Sequence, residues 1–480
     1  MSHAPFPNAR SIRRSWLKKL RSCLRTASTR EWCVICAWGL GLFSYVSSVI
    51  VFLLFSSHED DVVKNLLEAH GEKPGVTPSR GCTNEKTELE PAVCTLPFHG
   101  DGSFKILQVA DTHFGLGAED ECENVGGDPT VPCSSLNTTA FIADVVRLES
   151  PDLIVFTGDQ IWHPKGPLPR GVSAPTVARE AIKAVTASAV SGGIPFAAVF
   201  GNHDEESKLS RRDQMREYKK LPGACVSEGP QTIPGYSNFR IDLSHLDPPS
   251  SSSSSPQSLR LPLFFLDNGG NQGFVPDPAG RDVTGFSRAA QNEWLVDQIS
   301  ALRRESRSRT EILQGGALFL HIPTQASGDS SVGVSSVSLP VWFPHMHSLL
   351  CYFNEYREAT ISSGAHREFI FSSWVNSGLG AAALSSGLIR GIFCGHDHIN
   401  DFCGEWPPRR ESAGPKSGWK GSALQLCYGG GCGYGIYGRE DVKRRMRVIE
   451  LTNFGGTAKT WLRFDRDPDL VKRDLHELWR

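Results

Sequence analysis

Residues 391–401 of the 480-residue chain read Gly391-Ile-Phe-Cys-Gly-His-Asp-His-Ile-Asn-Asp401. A short apolar run ends in a glycine, and His396 and His398 follow two positions apart. Side chains two positions apart in extended backbone point to the same side, so both histidines can face one ligand, while Asp397 between them points away. The pair alone is weak evidence, and the rest of the sequence must supply its partners.

The same pattern, a short apolar run that ends in polar residues, recurs upstream. The runs predict buried strands, and amphipathic stretches at 138–148, 174–189 and 287–304 predict helices. Strands that alternate with helices are typical of an α/β domain with a central sheet. The runs are FKILQVA, LIVFTG, PFAAVFG, LPLFFLD, ALFLH and IRGIFCG.

Aspartate, asparagine and histidine follow five of these runs at the point where each predicted strand ends. Functional residues gather at the carboxyl ends of strands in α/β sheets, because several loops converge there. Carboxylate oxygens, amide oxygens and imidazole nitrogens are donors suited to metals such as Mn, Fe or Zn, and they do not form a thiolate site. The number of ligands suits two metals that share one carboxylate. The candidate metal ligands are Asp111, His113, Asp159, Asn202, His321, His396 and His398.

This ordered set, D-x-H, G-D, G-N-H-D, H and G-H-x-H, resembles the calcineurin-like metallophosphoesterase superfamily over roughly residues 102–465. More narrowly, the motifs H-I-P, G-H-D-H-I-N-D-F-C-G, C-Y-G-G-G-C-G-Y-G and R-V-I-E-L resemble its purple-acid-phosphatase-like branch in plants and fungi. The resemblance implies a four-layer α/β/β/α sandwich with a dinuclear metal site at one edge of the sheets.

The resemblance also implies how the site works, with two metal ions drawn from Fe, Mn and Zn. One ion would be held by Asp111, His113, Asp159 and His398, and the other by Asp159, Asn202, His321 and His396. A hydroxide that bridges the metals would attack a phosphomonoester. Asn202 and His203 would contact the substrate, and His203 would donate to a phosphate oxygen or protonate the leaving alkoxide.

The chain departs from the family at the third position after Asp159. Purple acid phosphatases have a tyrosine there that binds ferric iron, and protein Ser/Thr phosphatases have an aspartate that orients the catalytic histidine. This chain has Trp162, which can do neither. We therefore expect no purple charge-transfer band, and His203 lacks its usual orienting partner. The neighbouring His163 is a candidate substrate contact, and a histidine on a surface loop is the competing interpretation.

Two other functions fit the same residues. A phosphodiesterase or nucleotide hydrolase would use the same scaffold, because the ligands do not fix the leaving group. A catalytically inactive, membrane-tethered binding protein should have lost at least one ligand, and every ligand position here is filled. The formal net charge of −2 gives no reason to expect a nucleic-acid partner.

The N-terminal region predicts a membrane anchor. Residues 1–31 form a basic tail, and residues 32–55, with no charged side chain, are long enough to cross the ~30 Å hydrocarbon core as one transmembrane helix. Basic residues before the span and acids after it favour a cytoplasmic N-terminus and a lumenal or extracellular catalytic domain. An organelle transit peptide is the alternative, because the acid-free start of the chain is rich in Arg and Ser.

The remaining chain divides into a polar stalk over 56–100, the metallophosphoesterase domain over 101–466 and a C-terminal tail over 467–480. Ten of the 13 cysteines follow the predicted span, and an even number allows disulfides in a lumenal domain. Cys394, inside an apolar run, is predicted to be reduced and buried. The triplet Asn137-Thr138-Thr139 makes Asn137 a candidate glycosylation site.

Overall fold

The computed structural model describes residues 93–125, 133–161, 167–246, 258–270, 281, 288–324, 359–372, 377–406, 423–467 and 472–480. All of them belong to one compact unit, Leu89–Arg480. The predicted basic tail, the span over 32–55, nearly all of the predicted stalk, Trp162 and His163 lie outside these ranges. Among the helices within them, none is both long enough and apolar enough to cross a membrane.

The described residues form fifteen strands and five α-helices. The strands are β1 (Cys94–Pro97), β2 (Phe104–Val109), β3 (Leu153–Thr157), β4 (Phe196–Val199), β5 (Phe239–Leu246), β6 (Ser258–Phe265), β7 (Ile312–Leu313), β8 (Gly316–Phe319), β9 (Thr360–Ser363), β10 (Ile389–Cys394), β11 (Cys403–Trp406), β12 (Leu424–Tyr428), β13 (Arg445–Thr452), β14 (Thr457–Phe464) and β15 (Arg473–Trp479). The helices are α1 (Leu136–Glu149), α2 (Ala174–Gly192), α3 (Arg211–Lys219), α4 (Ala289–Arg309) and α5 (Leu379–Ser386). Each predicted helix and each predicted strand overlaps one of these elements.

Two mixed sheets contain all of these strands. The nine-stranded sheet has the order β1-β5-β6-β8-β10-β12-β11-β9, with β7 beside β6, and the six-stranded sheet has the order β15-β14-β13-β2-β3-β4. Strands β2, β3 and β4 are parallel in one sheet, and β8, β10 and β12 are parallel in the other. The carboxyl ends of each parallel set therefore lie at one edge of its sheet.

Three hydrophobic clusters separate four layers. Along β2, Leu107 and Val109 pack with α1, α2 and α3, whereas Ile106 points to the opposite face and packs against the other sheet, as the alternation of a strand requires. The third cluster joins the outer face of the nine-stranded sheet to α4 and α5, for example through Leu295 and Ala383. The order of helices, sheet, sheet and helices is that of the predicted α/β/β/α sandwich.

Two predicted boundaries of the domain need correction. Cys94–Pro97, predicted to lie in the stalk, forms β1 and pairs with β5. Arg473–Trp479, predicted to be a tail, forms β15 at the edge of the six-stranded sheet. The first three residues of β15 are exposed, whereas Leu478 and Trp479 at its end are buried between the sheets, and Trp479 donates from Nε1 to the Gly455 carbonyl.

The described cysteines include three disulfides and two buried free thiols. The disulfides are Cys94–Cys225, Cys122–Cys133 and Cys403–Cys427. Cys394 is free and buried, which confirms its prediction, and Cys432 is the second buried free thiol. Cys82 and Cys351 lie outside the described residues.

One buried side chain links the two sheets where their parallel strands end. Gln108, on β2, donates from Nε2 to Thr157 Oγ1 at the end of β3, over 3.1 Å. The same nitrogen donates to the carbonyl of Cys394 at the end of β10, over 2.9 Å. The carboxyl ends of strands from both sheets are thereby held next to each other, and the polar loops that follow them meet there.

Candidate metal centre

Four of the predicted metal ligands have left-handed backbone, which non-glycine residues rarely adopt. The φ angles are 55° at Asp111, 41° at His113, 55° at Asp159 and 79° at His396. Such a conformation costs about 1–2 kcal/mol per residue, so the surrounding structure must hold it. Backbone bonds between the loops do so, for example from His113 N to the Asp159 carbonyl at 2.9 Å. Strain of this kind clusters at functional sites.

One group of ligand atoms comes from Asp111, His113 and His398, and its atoms all lie within 4.8 Å of one another. His113 Nε2 is 3.1 Å from His398 Nε2, and His398 Nε2 is 3.7 Å from Asp111 Oδ1. Asp111 and His113 follow β2 of one sheet, and His398 follows β10 of the other. The three side chains are buried and converge from both sheets.

A second group comes from Asp159, His321 and His396, again within 4.8 Å of one another. His321 Nε2 is 3.3 Å from His396 Nδ1. Asn202 joins this group, because its Oδ1 lies 3.0 Å from His321 Nε2. The structure therefore brings together all seven predicted ligands in the two groups that the resemblance implied.

Asp159 lies between the two groups. Its Oδ2 atom is 3.5 Å from His113 Nε2 in the first group and 3.2 Å from His321 Nε2 in the second. This oxygen is buried and accepts no hydrogen bond within the described part of the chain. Its partner oxygen Oδ1 accepts from the backbone N–H of His203 at 2.8 Å. The carboxylate is therefore fixed at one oxygen and presents the other to both groups.

Hydrogen bonds on the far side of two histidine rings set which nitrogen faces the centre. His321 donates from Nδ1 to the Thr157 carbonyl at 2.9 Å, and His398 donates from Nδ1 to the Tyr437 carbonyl at 3.0 Å. Both Nε2 atoms are then left with their lone pairs toward the centre, as metal ligation requires. The Tyr437 ring also stacks on His398, with centroids 4.0 Å apart.

Burial and neighbouring charges together set the charge state of the centre. Burial lowers the pKa of His396 and of His398 to about 3, which keeps both imidazoles neutral and able to bind a cation. Burial also lowers the pKa of His321, but the Asp159 carboxylate outweighs it and raises the pKa to about 9, and a bound cation would favour the neutral ring instead. Burial also raises the pKa of Asp111 to about 8, with the neighbouring Asp159 carboxylate adding to the rise. A bound cation would favour the ionised Asp111, since nearby positive charge stabilises a carboxylate.

The residues present fit two metal ions. Their donors are carboxylate oxygens, an amide oxygen and imidazole nitrogens, which suit Mn, Fe or Zn. The buried Asp159 oxygen, which accepts no hydrogen bond within the described residues, points at both groups, and one pair of histidine nitrogens faces each other within each group. Two cations would satisfy all of these atoms.

Two motif glycines are required because side chains of the centre occupy the space beside them. A Cβ at Gly201 would lie 2.0 Å from Asp159 Oδ1. A Cβ at Gly158 would lie 2.3 Å from His321 Nδ1, and Gly158 also has a φ of 93°. The G-D and G-N-H-D motifs therefore need glycine for close approach to the ligands.

His203 lies next to the centre, its ring centroid 5.3 Å from that of His113, and its side chain is 29% exposed. Its Nδ1 is 2.7 Å from Glu206 Oε1. Burial lowers the pKa of His203, but the carboxylates of Asp159 and Glu206 outweigh that effect and raise the pKa to about 9. The position fits the predicted role beside the substrate.

Three functionally placed residues were not predicted from the sequence. Asp204 is buried and binds backbone N–H groups of the loops around Asp159. Glu206 contacts His203, and Tyr437 holds His398. Asp204 is the final residue of G-N-H-D and could have been found from that motif. For Glu206 and Tyr437 the sequence carries no comparable signal.

Other sequence predictions fall outside the centre. Asp397 points away from it, as predicted, and its carboxylate accepts from Tyr428 Oη at 2.6 Å and from the backbone N–H of Phe371. Asn137 lies in the first turn of α1, where its Oδ1 accepts from Ser134 N at 2.9 Å, and its glycosylation stays a prediction. The substrate role of His163 also stays a prediction.

Comparison with known proteins gives a consistent assignment. The family model for calcineurin-like phosphoesterases matches residues 104–400. "Probable inactive purple acid phosphatase 29" from Arabidopsis thaliana is 32% identical over 400 residues, which cover 80% of this chain and 88% of that protein. "Phosphatase DCR2" from Saccharomyces cerevisiae is 26% identical over 377 residues, covering 77% of this chain and 55% of that protein.

Among solved structures, a dimetal phosphatase from Danio rerio matches with 13% identity and a TM-score of 0.42, covering 78% of this chain and 98% of that one. The family model covers more than half of the chain, and the ligand motifs stand within or beside the matched residues. The chain belongs to the calcineurin-like phosphoesterase superfamily, in its purple-acid-phosphatase-like branch.

Proposed function

We propose that this chain is a dinuclear metal-dependent phosphatase that hydrolyses phosphomonoesters. The observation that carries the proposal is the position of Asp159 Oδ2, which lies 3.5 Å from His113 Nε2 and 3.2 Å from His321 Nε2. One carboxylate oxygen that faces two ligand groups could hold two metal ions close together, as two-metal phosphoester hydrolysis requires.

The residues around this carboxylate support hydrolysis. When bound, two metal ions would clamp a phosphate and lower the pKa of the water that attacks phosphorus. Asp159 and the six other ligands would hold the ions in place. His203, at the exposed side of the centre, donates to a phosphate oxygen and delivers a proton to the leaving oxygen, which then departs as an alcohol.

The metal ligands are the same in phosphatases and phosphodiesterases, so the two activities must be distinguished by the ester that is hydrolysed. A monoester carries one more ionisable oxygen, which His203 can bind. We expect the metal-loaded domain to prefer p-nitrophenyl phosphate over bis(p-nitrophenyl) phosphate in kcat/KM. A reversed preference would favour the phosphodiesterase or nucleotide hydrolase.

The names of several plant relatives contain the word inactive, so activity needs a direct test. We propose activity for this chain because its ligands are all present and converge in two groups. The test is metal analysis of the purified domain combined with a panel of phosphoesters, with Mn or with Fe and Zn supplied. Failure to hydrolyse any ester, with no effect of His203→Ala, would support a binding protein instead.

We also propose that the catalytic domain is lumenal or extracellular and is anchored by residues 32–55. The three disulfides support an oxidising compartment, since such bonds are rare in the cytosol. Protease protection of the domain in sealed membranes, together with a glycosidase-sensitive mass that Asn137→Gln removes, tests the orientation. A domain digested without detergent in sealed microsomes would contradict it, and import into an organelle would support the transit-peptide alternative.

A further inference from the structure

We infer that Glu206 is the positioning residue for His203, an inference that rests on the proposed phosphatase function. His203 Nδ1 lies 2.7 Å from Glu206 Oε1. An ionised carboxylate can only accept, so Nδ1 carries the proton of this hydrogen bond. The bond fixes the ring orientation and makes Nε2 the nitrogen that can face a substrate.

The local backbone explains why these two side chains meet. The N–H of Glu206 donates to the His203 carbonyl at 2.9 Å, so residues 203–206 close a single turn. Side chains three positions apart in such a turn lie on the same side. The His203 side chain is 29% exposed and that of Glu206 is 16% exposed, so water competes only partly for the bond.

The other two acidic residues of this turn have different partners. Asp204 accepts from the backbone N–H groups of Asp159, Gly201 and Ile161. Glu205 forms an ion pair with the buried Arg211, whose Nε lies 3.4 Å from Glu205 Oε2. Glu206 differs from both, because its carboxylate lies 2.7 Å from Nδ1 of the His203 ring.

The Glu206 carboxylate can replace the orienting group that is missing after Asp159. The third position after Asp159, where protein Ser/Thr phosphatases have an orienting aspartate, is Trp162 in this chain. The orienting group comes instead from the turn that contains the histidine itself. In the reaction, water adds to phosphorus, the bond from phosphorus to the leaving oxygen breaks, and that oxygen takes the proton from His203 Nε2. A water-derived proton then restores His203.

The first test compares esters whose leaving groups differ in acidity, with the metal-loaded protein. Poor leaving groups need the proton most, so Glu206→Gln should lower kcat about 10- to 100-fold for phenyl phosphate. It should lower kcat much less for 2,4-dinitrophenyl phosphate and leave KM nearly unchanged. Glu206→Asp should recover part of the loss. Glu205→Gln is the matched control, and any effect it has should be the same for every ester.

The double variant decides whether Glu206 acts through His203. Glu206→Gln should lower kcat no further in a His203→Ala background, since the side chain it orients is then gone. Equal losses for both esters, or additive losses in the double variant, would overturn the inference.

A second readout does not depend on activity. In proton NMR of the metal-loaded protein, the Nδ1–H of His203 should give a downfield resonance, assigned by its loss in His203→Ala. Glu206→Gln should remove or shift it, and Glu205→Gln should leave it in place. An unchanged resonance in Glu206→Gln overturns the pairing. If the pairing is present but no ester is hydrolysed, the proposed function fails while the contact between the two side chains stands.

Discussion

The Asp204 carboxylate accepts a hydrogen bond from the backbone N–H of Asp159 at 3.0 Å. Asp204 thus fixes the backbone of the ligand that faces both metal groups. The same oxygen accepts from Gly201 N at 2.7 Å, and its partner oxygen accepts from Ile161 N at 3.0 Å. Asp204 is completely buried. One side chain therefore fixes the loops that follow β3 and β4, and with them the strained backbone of Asp159.

Replacing Asp204 should weaken both the fold and the centre. In Asp204→Asn one acceptor oxygen becomes an amide donor, which leaves buried N–H groups without partners. We expect a loss of about 1–3 kcal/mol in the free energy of unfolding and a lower metal content. Urea unfolding and metal analysis measure the two effects. Asp144→Asn, on the α1 surface with a side chain 62% exposed, is the control and should change neither. Equal urea midpoints for Asp204→Asn and the parent chain would contradict this role.

Ligand variants should differ in how much metal they lose. Asp159→Ala removes the side chain that faces both groups, so metal content should fall from about two ions per chain to below about one. His396→Ala removes a ligand from one group and should leave about one ion bound. Elemental analysis after dialysis gives both numbers. A variant of Asp159 that retained two ions would show that this carboxylate is not shared.

Glu149 makes stability depend on pH at a site away from the metal centre. Its carboxylate accepts from Trp461 Nε1 at 2.8 Å and from Arg463 Nε at 2.6 Å, joining α1 to β14. Burial raises the pKa of Glu149, but these two hydrogen bonds and the Arg463 charge outweigh burial and lower the pKa below its ordinary 4.5.

A pKa lowered by folding stabilises the folded state above the unfolded pKa and loses that effect as pH falls through the folded value. Glu149→Gln should therefore cost about 1–3 kcal/mol at pH 7, and the difference should shrink at pH values below the ordinary pKa. Chemical denaturation at several pH values measures it. Glu180→Gln, exposed on α2, is the control. A difference independent of pH would mean that the lost contacts do not depend on the charge of Glu149.

The colour of the iron-loaded protein tests the sequence departure at Trp162. Without a tyrosine at that position, we expect no tyrosinate-to-iron charge-transfer band in the visible spectrum. Trp162→Tyr is the informative variant, because it restores the residue type that purple acid phosphatases have there. A visible band in the parent chain would mean that another tyrosine, such as Tyr437 beside His398, binds the iron.

The ligands could be predicted because each follows an apolar run that reads as a strand, and strand ends meet in space. Asp111, Asp159 and His396 are examples. The partner of His203 could not be predicted in this way. Glu206 belongs to a turn in which three consecutive acids follow the histidine, and only the turn geometry shows which one reaches the ring.

The ends of the domain were also hidden from sequence reasoning. In β15 the residues alternate without a clear apolar face, and pairing with β14 rather than burial holds most of the strand. Leu478 and Trp479 are the buried apolar residues at its end. Two adjacent buried residues do not alternate as the residues of a half-buried strand do, so the sequence predicts a tail here.

Gln108 connects the two sheets directly beside the metal centre. Its amide joins the end of β3 to the end of β10, so the ligands delivered by one sheet and those delivered by the other cannot separate without breaking this link. Cations bound between Asp111 and His398 would add a second link between the two sheets at the same place. Metal binding would then stabilise the state in which the two sheets are close together. Any change that separates the strand ends would, by the same linkage, weaken metal binding.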